Sequence, residues 1–237
     1  MQAELFSVPD QPAIELGEPL SLQPGELMLW PGYLGRGECG VLMERLRQRT
    51  EWKQESISLY GQVHALPRLT AWHGEPGAAY RYSGILQQPS PWSVLLQELR
   101  ARLELRCAWH FNSVLLNLYR NGNDTVAWHA DDEPELGPAP VIASVSLGAT
   151  RRFRLRLKAD HARTIALDLE GGSLLLMRGR VQQLCEHSVA RTSRTVEERI
   201  NLTFRRISNA PCDREAPRGL QACDGAHPET GAVPCPS

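Results

Sequence analysis

The chain has 237 residues, of which 42% are hydrophobic and 22% charged, so it can bury a core and is not disordered throughout. The formal net charge of −1 hides a basic middle: residues 36–206 contain 24 Lys and Arg against 18 Asp and Glu. This balance fits either a polyanionic partner or surface arginines without a ligand. No apolar run approaches about 18 residues and the N-terminus lacks a secretory pattern, so we expect a cytoplasmic protein without a membrane span.

The six cysteines form no C-x-x-C pair, and three of them lie in the C-terminal tail. This spacing favours reduced thiols over a disulfide framework or a zinc knuckle.

The first half of the chain predicts irregular and helical structure. Residues 1–35 contain many prolines and glycines and predict a partly irregular N-terminal extension. Residues 38–50 and 91–105 show the apolar periodicity of amphipathic helices, and 56–68 alternate like a hairpin that turns at Tyr60, Gly61 and Gln62.

The second half predicts short strands separated by Gly, Asn and Asp, at 113–120, 141–148, 151–158, 164–170, 172–179 and 199–207. Two helices followed by many strands predict an α+β fold with a sandwich or jelly roll at its centre. From residue 208 to 237 the chain is rich in Pro, Gly and Ala without periodicity, and we predict a disordered tail.

The segment AWHADDEPEL, residues 127–136, combines a histidine with several acids. His129 and Asp131 are two residues apart, so in an extended segment both side chains point the same way and can reach one ion. A solvated acidic loop is the alternative. Non-haem Fe(II) oxygenases bind iron through two histidines and a carboxylate, and His187 is the candidate for the second histidine. His64, His73 and His110 have no evident partner carboxylate.

Two predicted strands have one polar and one apolar face. Asn117 and Tyr119 share a face of the first strand; Arg199, Asn201, Thr203 and Arg205 share a face of the last. A solvated sheet face is one reading of this pattern. A cavity is the other, and two guanidinium groups in a cavity would suit a dicarboxylate.

The motifs N-x-Y, H-x-D, a distant His and R-x-N-x-T-x-R occur here in one order, within NLYRNGNDTVAWHADDEPELG and RINLTFRRI. This combination resembles the AlkB family of Fe(II)/2-oxoglutarate dioxygenases, in particular its DNA-repair branch, from about Leu59 to Ile207. The resemblance implies a dioxygenase domain over residues 36–207. The resemblance implies a double-stranded β-helix (jelly-roll) core with flanking N-terminal helices and a substrate-lid hairpin.

The resemblance also implies an activity. His129, Asp131 and His187 would hold Fe(II), and 2-oxoglutarate would bind Asn117, Tyr119, Arg199, Asn201, Thr203 and Arg205, with Arg199 on the distal carboxylate. With O₂, the enzyme would oxidise N-methyl groups of the 1-methyladenine and 3-methylcytosine type in DNA, releasing formaldehyde, succinate and CO₂. We expect a monomer that acts in the cytoplasm, on the nucleoid of a bacterium or in the nucleus of a eukaryote.

The substrate contacts expected from the resemblance are Tyr60, Gly61 and Gln62 of the lid, Arg68 on a phosphate, the stretch Tyr80, Arg81 and Tyr82 against the flipped base, and Asp132 on the base. Arg151 and Arg152 could approach a nucleic-acid backbone or serve the surface. The sequence departs from the family at His73, Cys185 and Glu186, and Glu186 could alter the field at the metal.

Two alternatives to DNA demethylation remain. One is the same chemistry on RNA or on a protein side chain. The other is a non-catalytic relative that only binds nucleic acid, which would be expected to have a broken triad or pocket.

Overall fold

The computed structural model describes residues 13–59, 62–78, 80–82 and 85–208, with the backbone alone for 58–59, 80–82 and 85–87. The predicted disordered tail falls outside this part of the chain, apart from its first residue.

Three α-helices, two short 3₁₀ helices (Glu18–Leu20 and Pro134–Leu136) and fifteen strands make up the described structure. The α-helices are α1 (Arg36–Arg49), α2 (Val94–Cys107) and the short α3 (Val181–Leu184). The strands are β1 (Ile14–Glu15), β2 (Leu27–Trp30), β3 (Ser56–Leu59), β4 (Gln62–Ala65), β5 (Leu69–Gly74), β6 (Tyr80–Tyr82), β7 (Ile85–Gln87), β8 (Ser113–Tyr119), β9 (Val126–His129), β10 (Ile142–Gly148), β11 (Arg151–Leu157), β12 (Thr164–Leu169), β13 (Leu174–Met177), β14 (Cys185–Val189) and β15 (Arg199–Arg205). No helix among these residues is long and apolar enough to span a membrane.

The two long helices form because apolar residues recur on one face of each. In α2, Leu96, Leu99, Leu103 and Cys107 are buried at helical spacing, and the Ser93 hydroxyl caps the helix by accepting a hydrogen bond from the Leu96 amide. In α1 the buried positions include Cys39, Leu42 and Leu46. These helices confirm the predicted ones within a few residues.

The strands form a large and a small sheet that face each other. The large sheet has the order β1-β2-β13-β10-β15-β8-β5, and the small sheet the order β12-β11-β14-β9. All pairings within both sheets are antiparallel. Non-consecutive neighbours in both orders are typical of a jelly roll, which confirms the predicted α+β fold. The predicted N-terminal extension contributes β1 and β2 to the large sheet.

The large sheet is buried on both sides. Ile200, Leu202 and Phe204 of β15 belong to the same apolar cluster as Leu42 of α1 and Leu99 of α2. A second apolar cluster lies between the sheets and includes residues of β11, β13 and β14. Because successive side chains of a strand point to opposite faces, the polar residues of β8 and β15 therefore point into the space between the sheets.

The predicted hairpin is present as β3 and β4, paired from Ser56 opposite Ala65 to Leu59 opposite Gln62. The predicted turn residues Tyr60 and Gly61 lie outside the described residues, whereas Gln62 is exposed at the start of β4.

We expect the helix-facing core to dominate stability. Phe204 is fully buried, so Phe204→Ala should lower the free energy of unfolding by about 3–5 kcal/mol. Leu105 lies 84% exposed on α2, and Leu105→Ala should change it by less than about 0.5 kcal/mol. Urea titration followed by circular dichroism measures both, and equal losses would contradict the assignment of the core.

A second prediction concerns acid stability. The Glu26 carboxylate accepts hydrogen bonds from the Arg180 side chain and backbone, which lower its pKa to about 2 despite the opposing effect of burial. The lower pKa in the folded state stabilises the protein fully above pH 4.5 or so, and this stabilisation is lost as the pH falls towards about 2. The stability difference between the wild type and Glu26→Gln should therefore shrink between pH 5 and pH 2, as measured by urea unfolding at each pH. A difference that stays constant with pH would contradict this.

Candidate active site

A cavity of about 310 Å³ opens between the two sheets. Its lining includes the polar faces of β8 and β15, the end of β9, the inner face of β14, and apolar side chains of Leu115, Phe153, Met177 and Val189. Ile57, Leu66 and Pro67, in and beside the β3–β4 hairpin, also border it.

The structure brings His129, Asp131 and His187 together at this cavity. One ligand atom from each residue lies within 4.8 Å of the others. The Nε2 atoms of His129 and His187 lie 4.0 and 3.9 Å from Asp131 carboxylate oxygens. Metal–ligand bonds of about 2.0–2.2 Å would allow one ion to reach all three residues. Two histidines and one carboxylate are the donor set of a non-haem iron site that leaves positions open.

Local strand pairing produces this cluster. His129 and His187 are direct partners in the register of β9 and β14, and their ring centroids are 4.2 Å apart. Asp131 follows β9 by two residues. The spacing of H-x-D and the antiparallel pairing together place the three side chains at one point between the sheets.

The protonation states of the cluster suit a cation. Burial and the neighbouring His129 lower the pKa of His187 to about 3, so its imidazole is neutral at physiological pH. Burial alone would raise the pKa of Asp131, but the Arg205 guanidinium and both histidines hold it below its usual value. His129 donates from Nδ1 to the Ala127 carbonyl oxygen at 2.8 Å, which leaves Nε2 free to bind metal.

Asp131 is held by two contacts that no motif in the sequence predicts. Its Oδ1 accepts a hydrogen bond from Arg205 Nη2 at 2.7 Å, within a buried ion pair. Its backbone amide donates to Oε1 of the buried Gln182 of α3 at 3.0 Å. Arg205 of the large sheet thus orients the carboxylate, and Gln182 of α3 holds the backbone of the same residue. Arg205, expected to bind 2-oxoglutarate, therefore holds a metal-cluster residue in this structure.

Arg199 is a buried cation with spare hydrogen-bonding capacity. Its Nη2 donates to Ser146 Oγ at 2.9 Å and to Asn201 Oδ1 at 2.8 Å, and its guanidinium lies 5.1 Å from the Tyr119 ring centroid. Its Nε and Nη1 form no hydrogen bond with the described residues. Burial lowers the pKa of Arg199, which reflects the cost of keeping this charge away from water.

The remaining polar residues of the cavity form a network around Arg199. Asn201 accepts a hydrogen bond from Ser144 and donates one to Thr203. Each of the four polar residues of β15 is at most 8% exposed, which excludes a solvated sheet face. Ser144 and Ser146 were missed, although their i, i+2 spacing in the otherwise apolar strand β10 could have revealed them.

The charges that line the cavity favour an anionic ligand. Three arginines, Arg68, Arg199 and Arg205, face two carboxylates, Asp131 and Glu133, so their formal sum is +1 before any divalent ion binds. A divalent cation at the cluster would raise the sum to +3. A dicarboxylate would balance most of this charge and could satisfy the free guanidinium nitrogens of Arg199. The residues therefore fit both Fe(II) and 2-oxoglutarate.

Two arginines that were expected near nucleic-acid phosphates are buried instead. Arg68 is 7% exposed and donates to Asn117 Oδ1 at 2.7 Å and to the Thr125 carbonyl oxygen. Arg151 is 3% exposed and donates to the carbonyl oxygens of Asn121, Asp124 and Ala190. Neither lies at the surface for a phosphate contact, because the hydrogen bonds of each guanidinium connect loops to the sheets.

The structure describes the other expected substrate residues to different extents. Tyr80, Arg81 and Tyr82 form β6, which pairs with β7, but their side chains lie outside the described part of the structure. Asp132 is exposed and pairs with Lys158 Nζ at 2.8 Å. Lys158 also donates to the Gln182 carbonyl oxygen, so Asp132 is tied to α3.

The departures from the family motif lie away from the metal cluster. Glu186 precedes His187 in a strand and therefore points to the opposite face, where it pairs with Arg156; its effect on the field at the metal stays a prediction. Cys185 is buried in the apolar cluster between the sheets, and burial raises the pKa of its thiol to about 11. His73 donates from Nδ1 to the Pro91 carbonyl oxygen on the edge strand β5.

Comparison with known proteins agrees with this geometry. A model of the 2OG-Fe(II) oxygenase superfamily matches residues 26–205. The human alpha-ketoglutarate-dependent dioxygenase alkB homolog 3 is 40% identical over 204 residues, which cover 81% of this chain and 71% of that protein. The mouse DNA oxidative demethylase ALKBH2 is 35% identical over 183 residues, covering 73% of this chain and 77% of that protein.

A solved structure supports the fold. The structure of OsALKBH1 superposes with a TM-score of 0.57 at 21% identity, covering 78% of this chain and 99% of that one. The fold and the metal cluster define a 2OG-Fe(II) oxygenase. Within that superfamily, the chain belongs to the AlkB family and is a dioxygenase that uses Fe(II) and 2-oxoglutarate.

We predict that Arg199 governs the binding of 2-oxoglutarate. Arg199→Met keeps the unbranched stem of the side chain and removes the guanidinium charge, and should raise the KM for 2-oxoglutarate about 30-fold or more, since losing one partner of a buried charge pair costs about 2–5 kcal/mol. Succinate formation at varied 2-oxoglutarate measures this. Arg152→Met, on an exposed arginine, is the control, and an unchanged KM in Arg199→Met would disprove the assignment.

Proposed function

We propose that the protein demethylates N-methylated bases in DNA, of the 1-methyladenine and 3-methylcytosine type. The observation that carries the proposal is the cavity itself, which combines the His129, Asp131 and His187 cluster with a buried, incompletely hydrogen-bonded Arg199 under a hairpin. The similarity to the mouse DNA oxidative demethylase ALKBH2 supports the reaction and the substrate class.

The proposed reaction balances with one oxygen molecule. When bound, Fe(II) with 2-oxoglutarate supplies the oxidant, and one oxygen atom enters succinate while the other enters the methyl C–H bond. The resulting N-hydroxymethyl group loses formaldehyde and leaves an N–H on the base. The products are succinate, CO₂, formaldehyde and the unmodified base.

The chain's own residues would bind, orient and exclude water. His129, Asp131 and His187 would hold the metal, with Arg205 and Gln182 keeping Asp131 in place. Arg199 would bind the distal carboxylate of 2-oxoglutarate. The apolar walls of the cavity would exclude bulk water, so that the oxidant meets the methyl group rather than solvent.

The substrate would have to enter from the His129 side. The His129 side chain is 39% exposed, whereas Asp131 and His187 are buried. A methyl group on the Watson–Crick edge is inaccessible in a duplex, so the base must be flipped or single-stranded. The hairpin borders the cavity through Ile57 and exposes Gln62 and Val63 at its other strand, which supports its role as a lid together with Tyr60 and Gly61.

The proposed base contacts are Tyr80, Arg81, Tyr82 and Asp132, and Arg68 would act from the cavity wall rather than on a phosphate. The role of Asp132 as a base contact is supported by its position directly beside Asp131, where Lys158 holds it at the surface. The proposed location follows the substrate: the cytoplasm and nucleoid in a bacterium, or the nucleus in a eukaryote.

The test is a direct assay of base repair. The full chain is reconstituted anaerobically with Fe(II) and 2-oxoglutarate, then exposed to air with a single-stranded DNA oligonucleotide carrying 1-methyladenine or 3-methylcytosine. Mass spectrometry should show the loss of one methylene unit together with stoichiometric succinate. His129→Ala should abolish both, and Leu105→Ala should preserve both, because Leu105 is 84% exposed on α2 and does not line the cavity.

Other outcomes separate the alternatives. Repair of an RNA oligonucleotide of the same sequence, with methylated DNA unchanged, would move the substrate to RNA. Succinate formation with neither nucleic acid changed would point to another substrate, such as a protein side chain.

A further inference from the structure

His129 lies on the least supported strand of the small sheet. Among the described residues, β9 pairs only with β14 and forms the edge of that sheet. Two register pairs are recorded between them, His129 with His187 and Val126 with Val189, with an irregularity in between. An edge strand with so little pairing is easily displaced, yet it carries one of the three proposed metal ligands.

The outer face of the same sheet carries a group of side chains that spans three strands. Trp128 precedes His129 and points away from the cavity, by the alternation of side chains along a strand. The guanidinium carbons of Arg156 and Arg154, both on β11, lie 4.1 and 4.9 Å from the Trp128 ring centroid. Because β14 lies between β9 and β11, these contacts cross the strand that carries His187.

Glu186 of β14 completes the group. Its Oε1 accepts a hydrogen bond from Arg156 Nε at 2.6 Å, the Nη2 of the same arginine lies 2.5 Å from it within the ion pair, and His161 Nε2 lies 3.4 Å away. Both members of the Arg156–Glu186 pair are only about one-fifth exposed, so solvent screens the pair less than an ordinary surface ion pair. We name Trp128, Arg154, Arg156 and Glu186 the outer-face clamp.

The position of the clamp relates it to the metal cluster. Trp128 adjoins His129 in β9, and Glu186 adjoins His187 in β14. The outer-face clamp therefore contacts both histidine-bearing strands on the face opposite the cavity, at the point where His129 and His187 are register partners. A planar guanidinium over an indole ring is attractive and restricts the ring, which in turn restricts the backbone of β9.

We propose that the outer-face clamp is a positioning device for His129, which keeps its imidazole in place to retain Fe(II). Trp128, Arg156 and Glu186 are positioning residues that do not touch the metal. The proposal rests on the metal cluster described above and is independent of which nucleic acid, or other molecule, is the substrate.

The chain contains a matched control on the same face of the same sheet. Arg152 of β11 and Asp168 of β12 form an ion pair of similar geometry, with an Nε to Oδ1 distance of 2.8 Å. This pair joins β11 to β12, and neither residue is in register with a residue of β9 or β14. Its loss should disturb the outer face of the sheet without loosening the histidine-bearing strands.

The experiment measures Fe(II) retention in the absence of nucleic acid. Full-length protein loaded anaerobically with Fe(II) is mixed with excess colorimetric Fe(II) chelator, and the release rate is followed by absorbance. Trp128→Ala should release Fe(II) about tenfold faster or more, in the range seen when residues that support a metal ligand are lost. Trp128→Phe, which keeps an aromatic face, should restore most of the retention. Glu186→Gln should accelerate release, and Arg152→Ala and Asp168→Asn should not.

Two further measurements separate positioning from general destabilisation. The melting temperature of each metal-free variant reports stability alone. If Trp128→Ala does not fold, Arg156→Met is used in its place. In a His129→Ala background, Trp128→Ala should have no additional effect on Fe(II) affinity, since the clamp acts through His129. Three outcomes would each overturn the proposal. They are an equal acceleration of Fe(II) release by Arg152→Ala, release rates that follow only the melting temperature, and an effect of Trp128→Ala on Fe(II) affinity that persists in the His129→Ala background.

Discussion

The buried ion pair between Arg205 and Asp131 joins the two sheets inside the charged cavity. Arg205 belongs to the large sheet and Asp131 follows the edge strand of the small sheet, so the pair fixes one sheet relative to the other. Removing one partner of such a pair typically costs about 3–5 kcal/mol, because the other charge is left buried. The same contact keeps the Asp131 carboxylate ionised and oriented, so the interaction that stabilises the fold also prepares the metal cluster.

The cavity holds more positive charge than the protein itself compensates. Arg199 is fully buried, and two of its guanidinium nitrogens have no hydrogen-bond partner among the described residues. A folded protein tolerates such a group when a ligand completes it. The dependence on 2-oxoglutarate thus has a physical basis in the free protein. The second carboxylate of the co-substrate supplies the negative charge that balances the Arg199 guanidinium.

Much of the site could be predicted because side chains alternate between the two faces along each strand, with a period of two residues. The alternation in β8 and β15 predicted which residues face inward, and the H-x-D spacing predicted two side chains on one side of an extended segment. The strands β9 and β14 were missed, because four or five residues of mixed polarity carry no clear alternation. The orientation of Glu186 could not be predicted for that reason: only once β14 is a strand must Glu186 and His187 point to opposite faces.

The sequence by itself determined the fold class, the family, and the three residues that converge on the metal cluster, since these depend on residue types and short spacings. Only the tertiary structure decided that Arg68 and Arg151 are buried, that Arg205 pairs with Asp131, and that Gln182 orients the same aspartate. Those contacts join residues 51 to 74 positions apart or close loops onto the sheets. No local pattern encodes them, because they depend on which strands become neighbours when the two sheets pack face to face.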